Sequence, residues 1–122
     1  VRVSWIASAV TAGLVVLASS CGDDGGDSAA GRGAAIYRAN CSACHGADLR
    51  GAATGPSLLL TIYGPDELSD AAIRDAIRNG VSEQRFDLGE MPANRALGEN
   101  QVDLIIDHIR DVQAAEGLEP VP

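Results

Sequence analysis

The five residues Cys41-Ser42-Ala43-Cys44-His45 constrain this chain more than any other feature. At a helix end, residues three apart share a face, so the two thiols lie together and His45 follows directly behind them. The rest of the chain offers little to fold around. Trp5, Tyr37, Tyr63 and Phe86 are the whole aromatic set of a 122-residue chain, and Trp5 lies in a segment that reads as separate from the folded part. A core of about 90 residues drawn mostly from Ala, Leu, Ile and Val buries little apolar area, and domains of that size commonly need a staple. A buried group held by the motif would supply the missing bulk.

Two thiols and an adjacent histidine at this spacing form the attachment motif for haem c. The thiols add across two vinyl groups on one porphyrin edge, and the histidine offers an axial nitrogen to the iron. The motif occurs once, so one covalent haem is expected, with Cys41, Cys44 and His45 holding it. Two rival readings start from the cysteine pair alone. A thioredoxin-like redox pair wants a preceding strand and a parallel sheet, and neither is legible here. A zinc site wants further ligands, and only Cys21 and His108 remain. The second axial ligand should lie downstream. Met91 is the only methionine, within Leu88-Gly89-Glu90-Met91-Pro92. A lone methionine is ordinarily core filler, but a thioether presented from a Gly- and Pro-bearing loop suits a metal better than packing. The competitor, His108, falls among Leu104, Ile105 and Val112 on the inner arc of the last helix, where it reads as a packed interface residue. Bis-histidine ligation would also lower the reduction potential relative to a thioether.

Residues 1–21 read as an export segment: Arg2, then an uncharged and mainly apolar stretch, then small residues before Cys21. The stretch is short of the roughly 20 residues that span a bilayer. It resembles the lipobox of bacterial lipoproteins, in which the cysteine is acylated, although Leu17 stands four residues before Cys21 instead of three. An uncleaved anchor and an ordinary signal peptide are the alternatives, and every route places the domain outside the cytoplasm. Residues 22–32, rich in Gly and Asp, read as a flexible linker. The folded domain is expected over 33–115, all-α, with three to four helices around the haem, and a loose tail over 116–122. The first helix should run over 33–42. A second, capped by Ser69 or Asp70, should stop at Asn79-Gly80. The last should run from about Glu99 to Ala115, with Val102, Ile105, Ile106, Ile109 and Val112 at helical spacing. Loops fill 46–60 and 81–97. The formal net charge is −8, and all nine basic residues are arginine. That balance argues against nucleic acid, whose phosphates need cationic patches, and suits docking to a cationic partner.

From Gly33 to Val112 the sequence resembles the class I monohaem c-type cytochromes. Five landmarks stand in family order: Gly33 and Tyr37 before the motif; Cys41 to His45 followed by Gly46; Gly55-Pro56-Ser57-Leu58; Gly89-Glu90-Met91-Pro92; and the helix through Leu104 and Arg110. The resemblance implies that the Pro56 carbonyl accepts a hydrogen bond from His45, fixing its tautomer. It implies that Gly33 allows the first and last helices to cross closely. An aromatic residue usually stands where this chain has His108. It further implies a carrier of single electrons and not an enzyme, with both axial positions filled and no small-molecule substrate. The partners would be redox proteins (a cytochrome reductase, an oxidase or a dehydrogenase). The protein would be lipid-anchored on the outer side of the bacterial cytoplasmic membrane. Two alternatives stay open: a subunit of a larger respiratory or dehydrogenase complex, and a haem sensor or peroxidase-like protein with an open iron position.

Overall fold

The crossing of the first and last helices organises the chain. The computed structural model describes residues 27–82 and 85–122. Cys21, the export segment and residues 22–26 of the expected linker lie outside the described residues. The first helix, α1 (Ala29–Asn40), starts four residues earlier than expected. Ser28 caps it by accepting a hydrogen bond from the Gly31 amide at 3.0 Å, and Ala29 and Ala30 are strong helix formers. The glycine and charge content of 22–32 therefore overstated the linker. At Cys41 the backbone leaves helical geometry. A single turn, α2 (Ser42–His45), then carries the rest of the motif and stops at Gly46, whose φ of 78° suits glycine.

The next helix, α3 (Asp70–Asn79), begins at Ser69, whose hydroxyl accepts from the Ala72 amide. It ends at Gly80, with φ 74°. Its apolar residues Ile73 and Ile77 are one turn apart and both buried. The last helix, α4 (Glu99–Glu116), starts where the Gly98 amide donates to the Gln101 side chain at 2.9 Å. Its buried face is Val102, Ile105, Ile106, Ile109 and Gln113. That face meets Tyr37, Leu49, Leu59, Ile73, Ile77 and Leu97 in one core. Where α1 crosses α4, a Cβ on Gly33 would stand 3.2 Å from the Leu104 carbonyl carbon and nearer still to its oxygen. The expected close approach is present, and it is made by backbone against backbone.

Among the described residues there is no strand, only isolated pairings, so the expected all-α class holds. One pairing joins Val81 and Met91, each amide donating to the other's carbonyl at 2.9 Å. Another joins Leu60 to Glu119: the Thr61 amide donates to Glu119 at 2.8 Å, and the Glu119 amide donates to Leu59 at 2.7 Å. The tail expected to be loose is therefore tied down. Leu118 packs over Gly64, where a Cβ would collide with it, and Arg50 bridges to Glu116 and Glu119. Backbone pairing and an apolar anchor outweigh the polar composition that made 116–122 look free. No helix among the described residues is long and apolar enough to cross a membrane.

Candidate cofactor site

α1, α2, α3 and α4 enclose a cavity of about 630 Å³, within the range of about 300–1,000 Å³ usual for small-molecule and cofactor clefts. Tyr37, Cys41 and His45 line it from the N-terminal side, Pro56 and Leu58 from the first loop, and Met91 from the long irregular segment. Ile73 and Ile77 of α3 and Ile105 and Ile109 of α4 make the apolar walls.

Each polar group has a local cause for its position. His45 is 9% exposed, and its Nδ1 lies 3.0 Å from the Pro56 carbonyl. That oxygen can only accept, so Nδ1 carries the proton and Nε2 keeps its lone pair. Gly55 makes the approach feasible: a Cβ there would sit 2.7 Å from the Cys44 carbonyl carbon. Met91 is half-buried and held by its pairing with Val81. Gly80 lets that segment pass, since a Cβ there would lie 2.9 Å from the Ala93 amide. The Asn94 amide, donating to Ile77 at 2.7 Å, laces the same segment to α3.

Cys41 and Cys44 are half-buried free thiols. Cys41 lines the cavity; Cys44, against the Gly55 loop, does not. Burial, reinforced by Cys44, pushes the Cys41 thiol up to about 11. A thioredoxin-like pair would follow a strand of a parallel sheet, and among the described residues there is none. His108 is outside the cavity lining. Its ring lies 5.2 Å from the Tyr37 ring at the α1–α4 crossing, tilted by 54°, as expected of an interface residue. Burial, helped by Arg38 and opposed by Asp111, pushes its pKa down.

Two functional side chains escaped the sequence reading. Gln113 is 4% exposed, lines the cavity, and donates to the carbonyls of Leu58 at 2.7 Å and Tyr63 at 3.0 Å. Arg110 donates to Asp70, Gln113 and the carbonyls of Tyr63 and Leu68. Together they fasten the wall formed by Ile62, Tyr63 and Leu68 onto α4. The available signal was Gln113 itself, one turn after Ile109 on the buried face, because a polar residue there demands partners.

An apolar cavity bearing an imidazole nitrogen and a thioether, with a half-buried thiol pair beside it, fits haem, whose iron takes His and Met as axial ligands. Helices arranged around such a cavity, with the Cys41 to His45 motif at its edge, define a c-type cytochrome. Residues 28–109 match the family described as cytochrome c oxidase, cbb3-type, subunit III, and the chain belongs to that family. Among solved structures it is similar to the c-type cytochrome XoxG from Methylobacterium extorquens AM1, with a TM-score of 0.53 and 24% identity. That likeness covers 71% of this chain and 51% of the other, and it speaks for the fold. The chain thus spans about half the length of that relative. No curated protein sequence matches the chain.

Proposed function

We propose that the chain carries single electrons on one haem c, attached through Cys41 and Cys44 and ligated by His45 and Met91. The observation that carries this reading is that His45 and Met91 line the same apolar cavity with the Cys41 thiol on its wall. Bound there, haem would supply reversible one-electron Fe(II)/Fe(III) chemistry. Pro56 holds the His45 ring in one tautomer and makes Nε2 the more basic donor. The Met91 thioether, as a ligand, would favour the reduced state relative to a second histidine. The isoleucines of α3 and α4 give a bound group an apolar surround, which would disfavour its more highly charged oxidised state. His45 and Met91 would hold the iron between them, and with both side chains bound the group would offer no position to a substrate.

Cys21, acylated, would tether the domain to the outer face of the bacterial cytoplasmic membrane, and the segment after it would hold the domain off the surface. Confinement to one membrane raises the effective concentration of redox partners on it, and the net charge of −8 suits partners with a cationic docking face. A second reading, an electron-transfer subunit of a larger respiratory complex, is favoured by the family's description as an oxidase subunit.

The test is a near-infrared spectrum of oxidised protein matured in a haem-attaching host, wild type beside Met91→Ala. Loss of the sulfur-to-iron band in the variant is expected. An unchanged spectrum would remove Met91 from the site, and colourless protein with two free thiols would end the haem reading. Rapid CO binding to the reduced wild type would indicate an open iron position instead. Co-purification of further subunits from detergent extracts separates a complex member from a free carrier.

A further inference from the structure

Leu49 stands outside the cavity lining, yet its backbone is left-handed, with a φ of 64°. Asp87 is the only other non-glycine residue in that region among the described residues. Aspartate tolerates it; for a bulky side chain it is an outlier, and such a conformation persists only where the surroundings fix it. Leu49 is fixed on both sides. Its side chain is fully buried in the core. Its carbonyl accepts two hydrogen bonds, from the Leu58 amide at 2.8 Å and from the Ser57 hydroxyl at 3.2 Å. The Ser57 oxygen accepts in turn from the Leu59 amide at 3.2 Å. The two donors to Leu49 are the residues directly after Pro56. Two residues beyond Leu49, the Gly51 amide donates to the His45 carbonyl at 2.8 Å. One short loop thus holds the backbone of His45 at one point and, at another, the segment carrying the acceptor of its Nδ1 proton. From outside, Arg50 ties this loop to Glu116 and Glu119.

We propose that Leu49 and Ser57 are positioning residues for the axial imidazole: the left-handed Leu49 carbonyl, gripped by Ser57 and Leu58, sets the Pro56 carbonyl against Nδ1 of His45. The inference rests on the haem reading above. A carbonyl on a loose loop would swing away from the imidazole and take a water instead. Held at 3.0 Å, it keeps Nε2 basic, and a more basic nitrogen favours the more highly charged, oxidised iron. Ser57 is half-buried and does not line the cavity, so it acts on a bound group only through the backbone it holds. The loop from His45 to Gly51 is therefore a setting for the reduction potential, built from side chains outside the cavity.

The experiment compares wild type, Ser57→Ala and Ser57→Thr as haem-loaded full chains at neutral pH. Three readouts are taken: exchange of the His45 Nδ1 proton by NMR, the reduction potential, and the near-infrared band. In Ser57→Ala the Leu49 carbonyl loses one donor and the Leu59 amide loses its side-chain acceptor. Exchange of the Nδ1 proton should quicken about fivefold, the factor that corresponds to one ordinary hydrogen bond. The potential should rise, because a less basic imidazole favours the oxidised iron less, and the near-infrared band should persist, because Met91 is untouched. Ser57→Thr keeps the hydroxyl and should match wild type in all three. Exchange and potential both unchanged in Ser57→Ala, or a threonine variant shifted as far as the alanine one, overturns the proposal. So does a potential that shifts only together with loss of the band, since the change then runs through Met91. In each of these cases wild type keeps its band, so the haem reading survives; colourless wild-type protein would overturn both.

Discussion

Replacing Gly33 with alanine sets two energies against each other at one position. Within a helix, glycine to alanine contributes about 1 kcal/mol of stability through backbone entropy. The new Cβ, however, would lie 3.2 Å from the Leu104 carbonyl carbon, nearer still to its oxygen, and 3.3 Å from Cβ of His108. Two of those neighbours belong to the α4 backbone, which has no rotamer to change, so the helices themselves must part. Overpacking of this kind costs about 3 kcal/mol at the upper end of its usual range. The net expectation is a loss of about 2 kcal/mol, or a fall in Tm of about 8–16 °C for a domain of this size. The assay is thermal unfolding of the haem-loaded protein by circular dichroism. A second consequence follows from the same separation. α1 carries Tyr37 and α4 carries Ile105 and Ile109, all on the cavity wall, so the near-infrared band should broaden or weaken as the walls spread. An alanine variant as stable as wild type, or more so, would show that helix propensity wins and refute the backbone contact.

Other perturbations test the wall, the tail and the crossing. Gln113→Ala leaves the half-buried Leu58 carbonyl without its side-chain donor and should cost about 1–2 kcal/mol in urea unfolding. Combined with Arg110→Met the losses should be less than additive, because Arg110 also bonds Gln113 and Tyr63; strict additivity would mean the two do not act as one clamp. Removing residues 118–122 should speed hydrogen exchange at the Thr61 amide, whose acceptor is Glu119; unchanged protection would mean that the tail pairing does not form. For His108 the folded pKa lies below the unfolded value of about 6.5. The unfolded chain then binds more protons, so stability is complete above about pH 6.5 and declines as pH falls toward the folded pKa. His108→Phe should remove that decline, and parallel stability–pH curves for the two proteins would contradict the assignment.

What the sequence disclosed tracks how local each cause is. The Ser69 cap, the Gly80 stop and the inner face of α4 depend on neighbours within a turn, and all were readable. The nearness of His45, Pro56 and Met91 to one cavity was legible through the resemblance to the class I c-type cytochromes, whose landmarks stand in the same order. The start of α1 was misread because composition was weighed above the Ser28 cap. The tail was misread because its hold on the domain is a pairing with Leu60, far away in sequence. Gln113 and Arg110 read as solvated polar residues until the carbonyls of Leu58, Tyr63 and Leu68 are known to end beside them.

The two-way amide clasp between Val81 and Met91 shuts the intervening segment into a ring whose ends are pinned. Whatever happens along that detour, the thioether stays where the clasp leaves it. A cut by a protease between the two clasped residues would leave both of them tied to each other, with the Met91 backbone still in register beside the cavity.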